Sequence, residues 1–368
     1  MKTGKVIINS RIDYLDYLRG FAALGILIYH YMSWTLGHFK ADTVIARFGV
    51  YGVSIFYILS GLTLFHVYRN KTDNFRRFVM DFSKKRLLRI LPLLCLAVII
   101  SLFLFEDKPG FWTLILNLTG LFGFFRWNDA LVVGGWSIGN EMVFYVFFIF
   151  LMFFLKKNKL SFFLLSIVIF SFFLYFAFWI LNPSQTLVSQ WKDYVNPLNQ
   201  VFLFLSGILI GLFFEERSIN QYVNLFILVL GLIIFCFFPA NNDTITIVTG
   251  VNRLIFTLSC ILTCMGVYKL QFQLPKFIHL TFLFFGSISY SLYLLHPVFY
   301  NLCGKIINVF GNEIKHIETI RLFLSFVTTV LASFLIYRYY ETFFINLGKN
   351  KGRVLPQDQP AASEFSKS

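Results

Sequence analysis

Charge is scarce in this chain. Only 14% of its 368 residues are Asp, Glu, Lys or Arg, where a soluble domain carries about 25%. Hydrophobic residues make up 57% and aromatic residues 20%, with 49 Phe among them. No single soluble core absorbs that much apolar surface, because there is too little polar surface to cover it. A soluble enzyme and a secreted domain are thereby excluded, and so is a disordered chain, which would be poor in aromatics. Cysteine is equally sparse. Cys95, Cys236, Cys260, Cys264 and Cys303 form no CxxC pair, so neither a disulfide framework nor zinc spacing is present; four of them sit in apolar runs and read as small hydrophobes. HExxH and a Walker loop are missing. Short alternating segments are missing too, which excludes a transmembrane β-barrel.

What the chain does have is long, unbroken apolar runs. Ten spanning helices are expected at about 16–36, 48–67, 88–105, 135–155, 160–181, 198–214, 222–239, 250–268, 279–301 and 321–345, each near the ~20 residues that a bilayer core requires. The fold class is all-α, a polytopic membrane protein. The stretch 111–125 is short and is followed by the polar Arg126-Trp127-Asn128-Asp129, so it is expected to be re-entrant or interfacial. The N-terminus reads as polar and uncleaved. Residues 1–348 form the membrane domain, and 349–368 a polar, disordered cytoplasmic tail.

The net charge of +14 is a matter of topology. With both termini in the cytoplasm and ten alternating helices, 22 Lys and Arg fall in cytoplasmic segments and 9 in outer ones. That bias follows the positive-inside rule, and no nucleic-acid partner is needed to explain it. No internal repeat marks an inverted-repeat transporter.

Ionisable residues at membrane depth are expensive and therefore informative. Arg19 and His30 stand eleven residues apart, which at about 100° per residue puts them on one face, separated by about 16 Å. A permanent cation then lies near the inner edge and a titratable base above it. Blander readings are a snorkelling anchor and a hydrogen-bonded interior histidine. In the fourth span Ser137, Glu141 and Tyr145 share a face. Glu141 is expected at the depth of His30, where a carboxylate would fix an imidazole's tautomer; the alternative is a structural interhelical hydrogen bond. The segment 69–92 carries eight basic residues. Most of them serve topology and lipid headgroups, but Arg86 and Arg89, at a helix entrance, suit a phosphate. The ninth span sets Ser289, Tyr293, His296 and Tyr300 on one face with Tyr290 nearby, which also reads as an aromatic belt with a helix-end histidine. Ser60-Gly61 permits close helix approach or leaves a cavity.

At these residues the chain resembles the membrane-bound acyltransferase family 3, which includes bacterial O-antigen and exopolysaccharide O-acetyltransferases. The likeness runs from about residue 12 to about 345. Leu15, Asp16, Leu18, Arg19, Gly20 and His30 match its L-D-x-L-R-G…H pattern, and Phe56 to Gly61 its F-x-L-S-G segment. Arg86, Arg89 and Pro92 resemble R-x-x-R-x-x-P; Trp136, Ser137, Glu141, Phe144 and Tyr145 resemble W-S-x-x-x-E-x-x-F-Y; Ser289, Tyr290, Ser291, Tyr293 and His296 resemble S-Y-S-x-Y-x-x-H. Some members pair two acids in the W-S segment, whereas here Asn140 and Met142 flank Glu141. No esterase-like C-terminal module follows. The resemblance implies transfer of an acyl group, usually acetyl, from cytoplasmic acyl-CoA to a hydroxyl of an extracytoplasmic glycan or lipid-linked saccharide at a bacterial inner membrane. Acyl-CoA is then a co-substrate, with no tightly bound cofactor and no metal. Arg19, Arg86 and Arg89 would hold the CoA phosphates, and His30 with Glu141 would act at the thioester, as general base or through an acyl-histidine. Asp16, Ser60, Trp136, Ser137, Tyr145, Tyr290, Tyr293 and His296 would line the site. Two rival readings are a proton-coupled transporter using His30, Glu141 and His296 as a relay, and an inactive scaffold for other glycan enzymes.

The charge bias is directly testable. A reporter fused after residue 130 is expected to read as external; a cytoplasmic signal there would invert every later span.

Overall fold

Within a bilayer every backbone N–H and C=O must be paired inside the protein, so apolar runs of this length become helices. The computed structural model describes residues 12–104, 108–240, 243–309 and 317–349. Helices α1 (Asp13–Leu36), α2 (Val44–Tyr68) and α3 (Phe75–Leu104) are followed by the short α4 (Phe111–Thr119) and α5 (Phe122–Phe125). Next come α6 (Trp136–Lys157), α7 (Lys159–Tyr175), the single turn α8 (Trp191–Tyr194) and α9 (Pro197–Phe214). The chain ends with α10 (Gln221–Phe237), α11 (Gly250–Tyr268), α12 (Lys276–Val309), α13 (Ile317–Leu335) and α14 (Thr342–Gly348). One wide turn extends α7 over Phe176–Ile180, and another, Ile336–Glu341, links α13 to α14.

All ten expected spans are helical. Among the described residues eight stretches are long and apolar enough to cross a membrane. Helix α10 is apolar but 17 residues long, and α1 has 24 residues with a more polar face. The tail beyond Lys349 lies outside the described residues. The largest boundary difference is at α3, which begins at Phe75 rather than 88, so most of the basic segment is itself helical. The stretch 111–125 is broken at Gly120, whose φ of 71° stops α4 after nine residues. Such a helix is about 14 Å long, less than half of a ~30 Å hydrocarbon core.

Polar caps set the helix starts. Thr43 accepts from the Ala46 amide, Asn158 from Leu160, Asn196 from Leu198 and Asn220 from Tyr222, each satisfying an orphan donor. Buried cations are likewise answered by backbone. Arg47 donates to the carbonyls of Ala41, Phe235 and Phe238, and Arg253 to that of Asn199 while lying over Phe173. The last helical stretch joins two earlier ones: Tyr340 donates to the Pro92 carbonyl of α3 at 3.1 Å, and Glu341 accepts from Ser291 of α12.

Helix α1 lies along α12 and α2 along α9. The α2–α9 contact is backbone on backbone: a Cβ at Gly61 would stand 2.0 Å from the Phe204 carbonyl oxygen, and one at Gly207 2.0 Å from that of Ile58. Small residues allow such an approach in a membrane, where helix association relies on packing. Gly61→Ala must therefore push the two helices apart. The expected outcome is a loss of stability of about 1–3 kcal/mol, read as a lower melting temperature in detergent; an unchanged melting curve would mean that the helices are less closely packed.

Candidate functional site

Helix α2 supplies one wall of an interior cavity. Val53, Phe56, Tyr57, Ser60, Thr63, Leu64 and Val67 recur every three or four residues and so share a face. They look onto Arg19 of α1, Arg86, Arg89 and Ile90 of α3, Ser137, Ile138, Glu141 and Tyr145 of α6, and Ser289, Tyr290 and Tyr293 of α12. The enclosed volume is about 170 Å³.

The cavity is graded along its length. At one end are the three arginines. Arg19 pairs with Asp16 at 2.9 Å and donates to Thr63 and to the Leu59 carbonyl, which fixes its direction. Arg86 and Arg89 have no carboxylate within ion-pair distance among the described residues, and the Arg86 Nε is buried without a hydrogen-bond partner. Arg86 is half-buried and Arg89 exposed; a buried donor such as the Arg86 Nε is costly to leave unpaired, so this end suits an anion. Further along, Ser60 donates to the Glu141 carboxylate at 2.6 Å, and Tyr290 donates to the Ile90 carbonyl at 2.9 Å. At the far end the Ser137 hydroxyl and the Tyr293 phenol lie 2.9 Å apart, and each is 2.9 Å from the Gly134 carbonyl. Gly134 has φ of 81°, and a Cβ there would sit 2.9 Å from the Tyr293 hydroxyl, so both the turn and the contact require glycine.

Beyond this closure stand two histidines. The His30 ring is stacked on that of His296, with centroids 5.2 Å apart and planes at 26°, and Trp34 is stacked on both. Tyr31 donates to the His296 carbonyl at 3.0 Å and is bonded to Thr329 of α13. Tyr293 lies between the two compartments, its ring 5.6 Å from Phe56 and 6.1 Å from His296.

Ten of the residues singled out from sequence thus line one cavity: Arg19, Ser60, Arg86, Arg89, Ser137, Glu141, Tyr145, Ser289, Tyr290 and Tyr293. Asp16 acts through Arg19. Trp136 packs edge-on against Tyr57 and Trp191, outside the lining. The expected meeting of His30 with Glu141 does not occur. The ring partners of His30 are Tyr29, Trp34 and His296, and Glu141 is held by Ser60. Sequence reasoning missed Thr63, Tyr57 and the rest of the α2 face, although their three-and-four spacing was a usable signal. It gave no role to Glu341, the acid near the inner end of the last span, which is buried against Ser291.

A family model described as an acyltransferase domain matches residues 12–338. The chain belongs to the acyltransferase 3 family. No curated protein and no solved structure is matched. This acyltransferase therefore works from within a membrane, with an acyl donor and an acyl acceptor as its substrates.

Proposed function

We propose that this acyltransferase moves an acetyl group from cytoplasmic acetyl-CoA to a hydroxyl of an extracytoplasmic glycan or lipid-linked saccharide at a bacterial cytoplasmic membrane. Arg86 carries the reading: a buried guanidinium nitrogen without a partner, beside Arg89 and Arg19, at one end of a cavity. Guanidinium groups pair with phosphate through a planar fork, and coenzyme A presents three phosphates. The same turns of α3 carry Arg76, Arg77, Lys84 and Lys85, so the positive-inside rule supports a cytoplasmic arginine end.

The arm runs past Glu141, whose carboxylate is available to accept from one of its amide N–H groups, toward Tyr293 and the histidines. There the acceptor oxygen bonds to the thioester carbon, the carbon–sulfur bond breaks, CoA leaves as thiolate and the hydroxyl proton passes to an imidazole. His30, on the face that rises from Arg19, is the proposed entry to that chemistry. Family membership supports acyl transfer over a proton-coupled transporter, and the separation of Glu141 from the histidine pair weakens the relay that a transporter would use.

Two experiments test this. Arg86→Ala and Arg89→Ala are each expected to weaken acetyl-CoA binding tenfold or more, since a charge-assisted bond is worth about 1.5–3 kcal/mol; Lys at either position should restore it only in part. Unchanged binding in the double variant would reduce these arginines to topology signals. His30→Ala is expected to lower acetyl transfer by about 10²–10⁴-fold while acetyl-CoA still binds; near-normal turnover by matched protein in liposomes would remove His30 from the mechanism.

A further inference from the structure

Proline at 297 leaves a specific mark on the site. Pro297 lies inside α12 and has no N–H, so the carbonyl four residues earlier, that of Tyr293, loses its helical donor. The His296 Nδ1 stands 2.6 Å from that oxygen. A carbonyl only accepts, so Nδ1 carries the hydrogen, and in a neutral imidazole Nε2 is then a bare lone pair. His296 is 0% exposed, and its Nε2 is buried without a hydrogen-bond partner. A buried, unsatisfied ring nitrogen calls for a reason. The ring has little freedom to turn: stacking on His30 and Trp34 fixes its plane, and the Tyr31 bond fixes its backbone. His30 makes no comparable bond to backbone. Among the described residues its partners are stacked and edge-on rings, with no hydrogen bond that would select its tautomer.

We infer that His296 is a catalytic residue and that its Nε2 is the atom that takes the proton of the acceptor hydroxyl, Pro297 having freed the carbonyl that holds the imidazole in the required tautomer. The inference rests on the acyl-transfer reading above and divides the labour within the histidine pair. As the acceptor oxygen bonds to the acyl carbon, its hydrogen moves to Nε2, giving an imidazolium whose Nδ1–H still points at the Tyr293 carbonyl. The departing CoA thiolate is the base that recovers the proton. For the hydroxyl to arrive, the stack must part. Trp34, 38% exposed, is its most exposed ring.

The first test needs no turnover. Full-length protein labelled with ¹⁵N-histidine in nanodiscs is compared with His296→Phe, which removes one imidazole and identifies its resonances. The expected spectrum shows a protonated Nδ1 and an unprotonated Nε2 at His296; an Nε2–H tautomer, or an even mixture, overturns the inference. Pro297→Ala restores the competing amide and is expected to shift the tautomer toward that mixture. The second test is transfer from [¹⁴C]acetyl-CoA to the saccharide fraction of membranes from the source cells. His296→Phe keeps a stacking ring and is expected to lose about 10²–10⁴-fold in transfer with acetyl-CoA affinity unchanged. If wild type and His296→Phe label the saccharide alike while His30→Ala does not, this inference falls and the acyl-transfer reading stands. If wild type labels no saccharide, both fall.

Discussion

Arg86 brings a half-buried guanidinium to one end of an interior cavity, and among the described residues no carboxylate stands within ion-pair distance of it. A buried polar atom without a partner is costly, and much of the surrounding structure reads as accommodation to it. Helix α3 extends far past the length of a span, so Arg86 and Arg89 sit on a continuous helix rather than on a loop. Arg19, by contrast, is neutralised by Asp16 and oriented by Thr63. The result is a graded cavity: excess positive charge at one end, a single carboxylate partway along, and hydroxyl groups at the far end.

The closure at Ser137, Tyr293 and Gly134 divides the interior. On the proposed reading, donor and acceptor approach from opposite faces of a membrane, and a thioester must meet a hydroxyl without a continuous water path. The Ser137 and Tyr293 hydroxyls, with two hydrogens to share between each other and the Gly134 carbonyl, tie α12 to the start of α6 and its preceding turn and supply such a partition. These bonds are also few enough to be exchanged for contacts with a substrate. The position of Phe56 against Tyr293 adds an apolar filler at the same level.

Much of this was legible in the residues themselves. Unbroken apolar runs marked the spans because a bilayer leaves the backbone no other arrangement. Arg86, Glu141 and Tyr293 stood out because polar groups there are rare. The pairing of His30 with Glu141 was misjudged for a physical reason. Counting residues along two helices fixes depth along the membrane normal but not lateral position, and α1 lies against α12 and α2. The beginning of α3 was misplaced because charge was taken to end the helix, whereas charge ends only the buried part. Glu341 was given no role because it closes a wide turn, where the 3.6-residue period no longer reports which face a side chain occupies.

The same wide turn has a consequence for assembly. Tyr340 reaches α3 and Glu341 reaches α12, so the helices that carry Arg86, Arg89 and His296 are bridged by chain made after both of them. Helices enter a membrane in order of synthesis, and earlier ones are free to sample partners while later ones are still being made. The bridge between α3 and α12 is therefore completed only when the stretch after α13 is in place. Truncation before residue 340 would leave every helix that lines the cavity present in the membrane, yet without the clasp that holds two of its walls in register.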